Sequence, residues 1–118
     1  MAMPMSRSLS WLLVAAAALS SCGPPPLPPA SPLDTPERQY TQGLARLEAG
    51  DLWGAQAAFE RVHALDPDYA GSYVGSALVA MEQGEFWQAR QKIDTALHKD
   101  RSFIDAHTAL GRIATAQG

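Results

Sequence analysis

From Pro36 onward, apolar residues recur at helical spacing, and the recurrence itself repeats. Leu52, Ala55, Phe59, Val62 and Leu65 stand three or four residues apart, and Phe86, Ala89, Ile93, Ala96 and Leu97 renew the stripe further on. This predicts two helices that each bury one face. Punctuation sets the ends. Thr35-Pro36-Glu37 offers a capping hydroxyl, a proline where the missing N–H costs nothing and an acid at the positive end of the dipole. A first helix is therefore predicted from Pro36 to Ala49, ended by Gly50. Asp51 is expected to cap the second helix. Pro67 closes it, because the residue before a proline is pushed out of the α region. Asp68 is expected to cap a third helix running to Gln83. A fourth follows from Glu85 to Lys99, and Ser102 is expected to cap a fifth from Phe103 to Gln117.

The stripes keep a fixed period. Gly50 and Gly84, Trp53 and Trp87, Ala55 and Ala89, Phe59 and Ile93, and Asp66 and Asp100 are each 34 residues apart. Gly118 lies one further period beyond Gly84, and Gly111 lies two periods beyond Gly43. Such a period marks a helix-turn-helix repeat in which no single unit buries its own apolar face. These positions resemble the tetratricopeptide repeat over Pro36 to Gly118. Counting units from Pro36, Ala70 and Ile104, the family's small residue in the first helix falls on Gly43, Ala77 and Gly111. Its turn glycine falls on Gly50, Gly84 and Gly118, its second-helix alanine on Ala55 and Ala89, its bulky partner on Phe59 and Ile93, and its closing proline on Pro67. The resemblance implies an all-α fold, a short α-solenoid of antiparallel helix hairpins with about two and a half repeats, working as a protein-interaction scaffold. Two departures stand out. Arg101 occupies the second unit's proline position, and the first helix carries Gln39, Gln42 and Arg46 where the family is usually apolar.

In the family register the partner-binding groove would be lined by Tyr40, Leu44, Leu47, Val74, Leu78, Met81 and Arg112, with Thr108 and Thr115. Tyr40, Leu44 and Leu47 form the first helix's own apolar stripe, so either the helix turns that stripe inward to pack or the stripe faces the groove. Family members that clamp a C-terminal carboxylate use Lys and Asn where this chain has Tyr40, Leu44, Val74 and Leu78. The resemblance thus implies a client with an apolar segment, as an amphipathic helix or extended peptide. Trp53 and Trp87 share one phase of successive second helices. They are candidates for an aromatic ridge facing a partner or membrane interface, the plain alternative being that each covers its neighbouring turn.

The segment ahead of the repeats has a different composition. Trp11 to Leu19 is an unbroken apolar run behind the single charge of Arg7. It is shorter than the roughly 20 residues that a spanning helix needs, and it reads as an export signal over residues 1–21. Leu19-Ser20-Ser21-Cys22 resembles the bacterial lipoprotein cleavage box. The resemblance implies that the Cys22 sulfur receives a diacylglyceryl group after cleavage before it, giving a palmitate-type anchor. With Gly23 rather than Asp next, it implies the outer membrane, facing the periplasm. The alternative is cleavage after Ala18-Leu19-Ser20, leaving Cys22 as a lone thiol. Gly23 to Pro36 contains seven prolines, which fixes an extended spacer reaching roughly 40 Å at about 3.1 Å per residue. A docking peptide for a proline-reading domain is the competing use. The expected organisation is thus signal peptide 1–21, lipidated cysteine and spacer 22–35, and helical domain 36–118.

Charge narrows the partners. The chain has 9 Lys and Arg against 12 Asp and Glu, and the bases are scattered among acids with no basic stripe, which argues against nucleic acid. The single cysteine excludes an internal disulfide and a cysteine-cluster metal site. His63, His98 and His107 lack metal-ligand spacing, and His107 takes the family's large aromatic position, which implies packing. No nucleophile elbow, phosphate-cradling glycine loop or zinc-protease pair is present, so neither catalysis nor a cofactor is expected. The reading is an outer-membrane-anchored periplasmic adaptor serving pilus, secretion or cell-wall machinery. Its rivals are a self-assembling homo-oligomer, an N-terminal fragment of a longer repeat protein, and a metal-dependent hydrolase. The last helix is expected to pack Ile104, Leu110 and Ile113 back on the fourth, with its far side left for a further segment or a second copy.

Overall fold

The computed structural model describes residues 31–118, so the expectations for the leader, Cys22 and the spacer up to residue 30 lie outside it. Among the described residues there are five helices and no strand: α1 (Pro36–Glu48), α2 (Leu52–Leu65), α3 (Ala70–Glu82), α4 (Phe86–Lys99) and α5 (Ile104–Gln117). Consecutive helices pack as antiparallel hairpins, α1 with α2 and α3 with α4, with α5 as the first half of a third. The fold is the expected short all-α solenoid. Backbones of α1, α3 and α5 approach one another in series, whereas those of α2 and α4 do not. The first helices of the hairpins therefore form the inner layer and the second helices fan outward.

Local chemistry sets most ends. Thr35 Oγ1 accepts the Arg38 N–H at 3.2 Å, with Pro36 in the first turn, and Asp51 Oδ1 accepts the Gly54 N–H at 2.9 Å. Gly50 and Gly84 turn the chain at φ 80° and 77°, a conformation that costs an L side chain about 1–2 kcal/mol. The expected caps on α3 and α5 are corrected. Asp68 and Ser102 do not cap; Tyr69 and Phe103 take the N-cap positions without a side-chain bond. The reason lies one step upstream. Asp66 Oδ1 accepts the Asp68 N–H and Asp100 Oδ1 accepts the Ser102 N–H, both at 2.9 Å, so aspartate turns have already bent the chain there. Asp66 and Asp100 have nearly the same backbone angles, φ −148° and −147°. The missing proline at Arg101 leaves the turn unchanged.

The core gathers around α3. It is flanked by all four other helices and buries Ala70, Val74, Ala77, Leu78, Val79 and Ala80. The Phe59 ring of α2 is wedged between two backbones: a Cβ built on Gly43 of α1 would sit 2.4 Å from Phe59 Cε1, and one on Gly75 of α3 would sit 2.2 Å from Cδ1. No flexible end is available to yield, because Phe59 is fully buried. On α5 the buried residues are Ala106, Ala109 and Ile113. Ile104, expected to pack, is 77% exposed, because the core side of α5 is set by the stripe that starts at Ala106, about 200° around the helix from Ile104.

The end of the spacer is tied down. Ser31 O accepts the Asp34 N–H at 2.9 Å, and the Asp34 carboxylate receives Gln39 Nε2 at 2.7 Å and Arg61 Nε at 2.8 Å. The Arg61 guanidinium, then Gln39, holds this carboxyl below its usual 3.8. A carboxyl with a depressed folded pKa adds stability above its unfolded value and loses it as pH falls through the folded one. Thermal melts of Asp34→Asn are therefore expected to fall below those of the parent at pH 7 and pH 5, with the gap narrowing below about pH 4. A second prediction concerns the wedge. Gly75→Ala is expected to cost about 1–2 kcal/mol in urea unfolding, overpacking outweighing the gain in helix propensity. In a Phe59→Leu background the same change is expected to be neutral or stabilising.

Candidate functional site

The inner face is where the first helices meet. Tyr40 of α1 lies buried at its centre, and its hydroxyl donates to Asp105 Oδ2 of α5 at 2.8 Å, linking the first unit to the third. Four rings surround this bond. Tyr40 stands 6.0 Å, centroid to centroid, from each of Phe59, Tyr69 and Phe103, and Tyr69 meets Phe103 edge-on at 5.9 Å. Tilted and edge-on pairs of this kind add about 0.5–1.5 kcal/mol each beyond burial. Burial, then the Asp105 carboxylate, pushes the Tyr40 phenol far above its ordinary value of 10.0, so it stays a protonated donor. Burial likewise raises Tyr69.

Beside the cluster lies a cleft of about 170 Å³. Its walls are Tyr40 and Leu44 from α1, Leu78 from α3, and Asp105, Thr108, Ala109 and Arg112 from α5. Five of the residues expected in the groove therefore stand together: Tyr40, Leu44, Leu78, Thr108 and Arg112. Tyr40 and Leu78 show only an edge there, being mostly buried. The stripe on α1 has turned inward, with Leu44 and Leu47 packed half-buried against the core. Met81 is half-buried in the same way. Val74 is corrected from groove to core: it is fully buried, because α3 is covered by α1 on one side and α5 on the other. Thr115 is exposed and donates to the Gly111 carbonyl at 2.9 Å. Arg112 reaches Glu82 at 4.0 Å across the rim.

Asp105 and Ala109 are cleft residues that the sequence reading missed. A signal existed for Asp105. Thr108 holds the phase of Tyr40 two units on, and an acid one helical turn before it faces back across the inner layer.

The indoles lie elsewhere. Trp53 and Trp87 are 90% and 70% exposed, so neither is folded down over its neighbouring turn. Trp53 rims a separate groove of about 370 Å³ between α2 and α4, floored by Ser76, Val79 and Ala80 of α3. Trp87 lies beside Gln117 in the corresponding recess one unit on.

The histidines are not brought together. His63 meets the Tyr73 ring edge-on at 5.6 Å. His107, expected to pack, is exposed, with Nε2 2.8 Å from the Arg101 carbonyl. That oxygen can only accept, so Nε2 carries the proton. Among the described residues no cluster of three or more His, Cys, Asp or Glu could hold a metal ion, and no helix is long and apolar enough to cross a membrane.

The bond across the inner face can be tested directly. Tyr40→Phe keeps the ring and removes the donor, which is expected to cost about 1 kcal/mol, or about 4–8 °C in thermal unfolding. Asp105→Ala is expected to lose as much, and the double variant no more than either alone.

Comparison with known proteins agrees with this geometry. No curated protein matches the chain. The Tetratricopeptide repeat family profile, however, matches residues 46–113, more than half of the 118 residues. Repeats of this kind are typically non-catalytic modules that bind other proteins. With helix hairpins in series, turn glycines one period apart and small residues at the hairpin crossings, the chain belongs to the tetratricopeptide repeat family.

Proposed function

We propose that the protein is an adaptor lipoprotein of the bacterial outer membrane, facing the periplasm, that holds a protein client by an apolar segment during envelope assembly. Pilus, secretion and cell-wall machinery are the client classes this reading covers. The sequence features behind it are Leu19-Ser20-Ser21-Cys22, the proline-rich spacer and the helical repeats that follow. A cysteine carrying two or more acyl chains gives stable anchoring where one chain gives only marginal binding.

The observation that carries the adaptor role is the inner cleft. Leu44 and Ala109 offer apolar wall, while Thr108 and Arg112 stand exposed at its rim as polar partners. A shallow apolar floor with a few convergent polar groups suits one or two side chains of a peptide or helix. It is too small for the whole of a drug-sized ligand, whose sites run from about 300 Å³ upward.

Two experiments test this reading. Cys22→Ser is expected to move the protein from the membrane pellet to the soluble fraction, and unchanged pelleting refutes the anchor. A benzophenone amino acid placed at Thr108 is expected to capture a partner protein in membranes that the same probe at Gln91, exposed on the outer helix α4, does not. Equal capture from both positions, or capture of a second copy alone, refutes the cleft.

A further inference from the structure

Trp53 stands on the outer side of the array, 90% exposed, so the fold gains almost nothing from burying its indole. A large ring left this bare at the lip of a groove has stacking surface to offer. The groove continues past it. A second recess, bordered by Tyr73, Gln91 and Thr95, shares Gln88 and Lys92 with the first. Tyr73 and Ala80 mark the two ends along α3 and stand about two turns apart, or about 10 Å. Between α2 and α4 there is thus a trough with an aromatic ring near each end.

The polar groups of the trough are largely unengaged. Thr41, Ser72, Thr95, Thr108 and Thr115 each donate a hydroxyl to a carbonyl of the preceding turn, whereas Ser76, on the floor, donates to none among the described residues. The side chains of Gln83, Gln88 and Lys92 make no hydrogen bond or ion pair among those residues either. Gln56 gives one amide hydrogen to Glu60 at 3.0 Å, which leaves its carbonyl oxygen to accept. The repeat does not ask for these side chains. One period back, Gln88 and Lys92 correspond to Gly54 and Ala58.

We infer that this trough binds a neutral β-1,4-linked oligosaccharide, two rings at a time. Equatorial substituents leave such a pyranose a flat C–H face, which the open indole of Trp53 can cover. The carboxamides and the Ser76 hydroxyl both donate and accept, as sugar hydroxyls do. Charge points the same way. The lining carries one cation, Lys92, and one anion, Glu85, so an anionic ligand gains nothing net. A proline-rich peptide lacks the N–H groups that the Glu85 carboxylate and the glutamine carbonyls would accept. An apolar helix would bury those groups without partners, which sugar hydroxyls avoid. Size agrees as well: the part beside Trp53, about 370 Å³, falls within the range of small-ligand sites, from about 300 Å³ upward. The trough shares no residue with the inner cleft, so it does not depend on the adaptor role.

The test titrates cellobiose and N,N′-diacetylchitobiose into the isotope-labelled full-length chain, held in a zwitterionic detergent that contains no sugar. Saturable shifts are expected at the Trp53 indole N–H and at the side-chain amides of Gln83 and Gln88. Trp53→Ala removes an exposed ring, so the unfolding temperature is expected to stay unchanged while binding weakens about tenfold or more. Trp53→Tyr keeps a stacking face and is expected to retain most of the affinity. Binding of neither sugar, or binding indifferent to Trp53→Ala, overturns the inference. Shifts at Leu44, Thr108 and Arg112 in place of Trp53 overturn it by moving the sugar to the inner cleft. Shifts at Trp53 with a decaproline peptide but with neither sugar overturn it too, and assign the trough to a proline-rich segment.

Discussion

A single ring placed between two glycines fixes how the helices stack. Phe59 belongs to α2, yet it lies against Gly43 within its own hairpin and against Gly75 in the next. Crossing distance within the first unit and stacking distance between units are therefore set by one side chain. Because the ring is fully buried, neither distance can change without a cavity or a clash. The close approach brings α1 against α3 on the inner side, while α2 and α4 stay apart and leave the groove that Trp53 rims. The second hairpin reaches the same arrangement with fully buried Ala77 and Ile93. A glycine with a phenyl ring in one unit is replaced by an alanine with a branched aliphatic chain in the other.

With the inner helices held this close, much of the apolar surface expected to meet a client is used internally. Tyr40 faces inward into a cluster with Phe59, Tyr69 and Phe103, and its hydroxyl is engaged by Asp105. A small solenoid has little core with which to offset its ordering entropy, and a cluster joining its first and third units adds long-range contacts that simple neighbour stacking lacks. The cost falls on the groove, which narrows to a cleft at Leu44, Thr108 and Arg112. Apolar surface that stays exposed lies elsewhere, among other positions at Trp53 on the outer side and Ile104 on α5.

Much of this was legible in the residues. The helix ends at Gly50 and Gly84, the caps at Thr35 and Asp51 and the hairpin order follow from local chemistry that tertiary structure did not override. The failures share a cause. Val74 was read from a family register and Ile104 from an apolar face, both of which assume equivalent neighbours in every unit, but among the described residues α3 has a helix on each side and α5 does not. His107 failed for the same reason, standing in the phase of Tyr73 with no outer helix beside it among the described residues. Gly75 and Asp34 were invisible to the repeat pattern because each acts across elements, one beneath Phe59 and the other on Gln39 and Arg61.

The turns between hairpins show why a departure from a family pattern need not be a departure in structure. Pro67 and Arg101 occupy equivalent positions, and a proline's fixed φ would suggest that the second turn is looser. The backbone at Asp66 and Asp100 is nevertheless almost superposable, because in each case the preceding carboxylate accepts the N–H two residues on. At Asp100 the Ser102 hydroxyl adds a bond at 2.7 Å, and the Arg101 carbonyl receives His107. Proline lowers the entropy of the unfolded turn, whereas the aspartate holds the folded one. Only the second is required for geometry, so the aspartate period, rather than the proline, is the feature to follow when the same turn is sought in a diverged repeat.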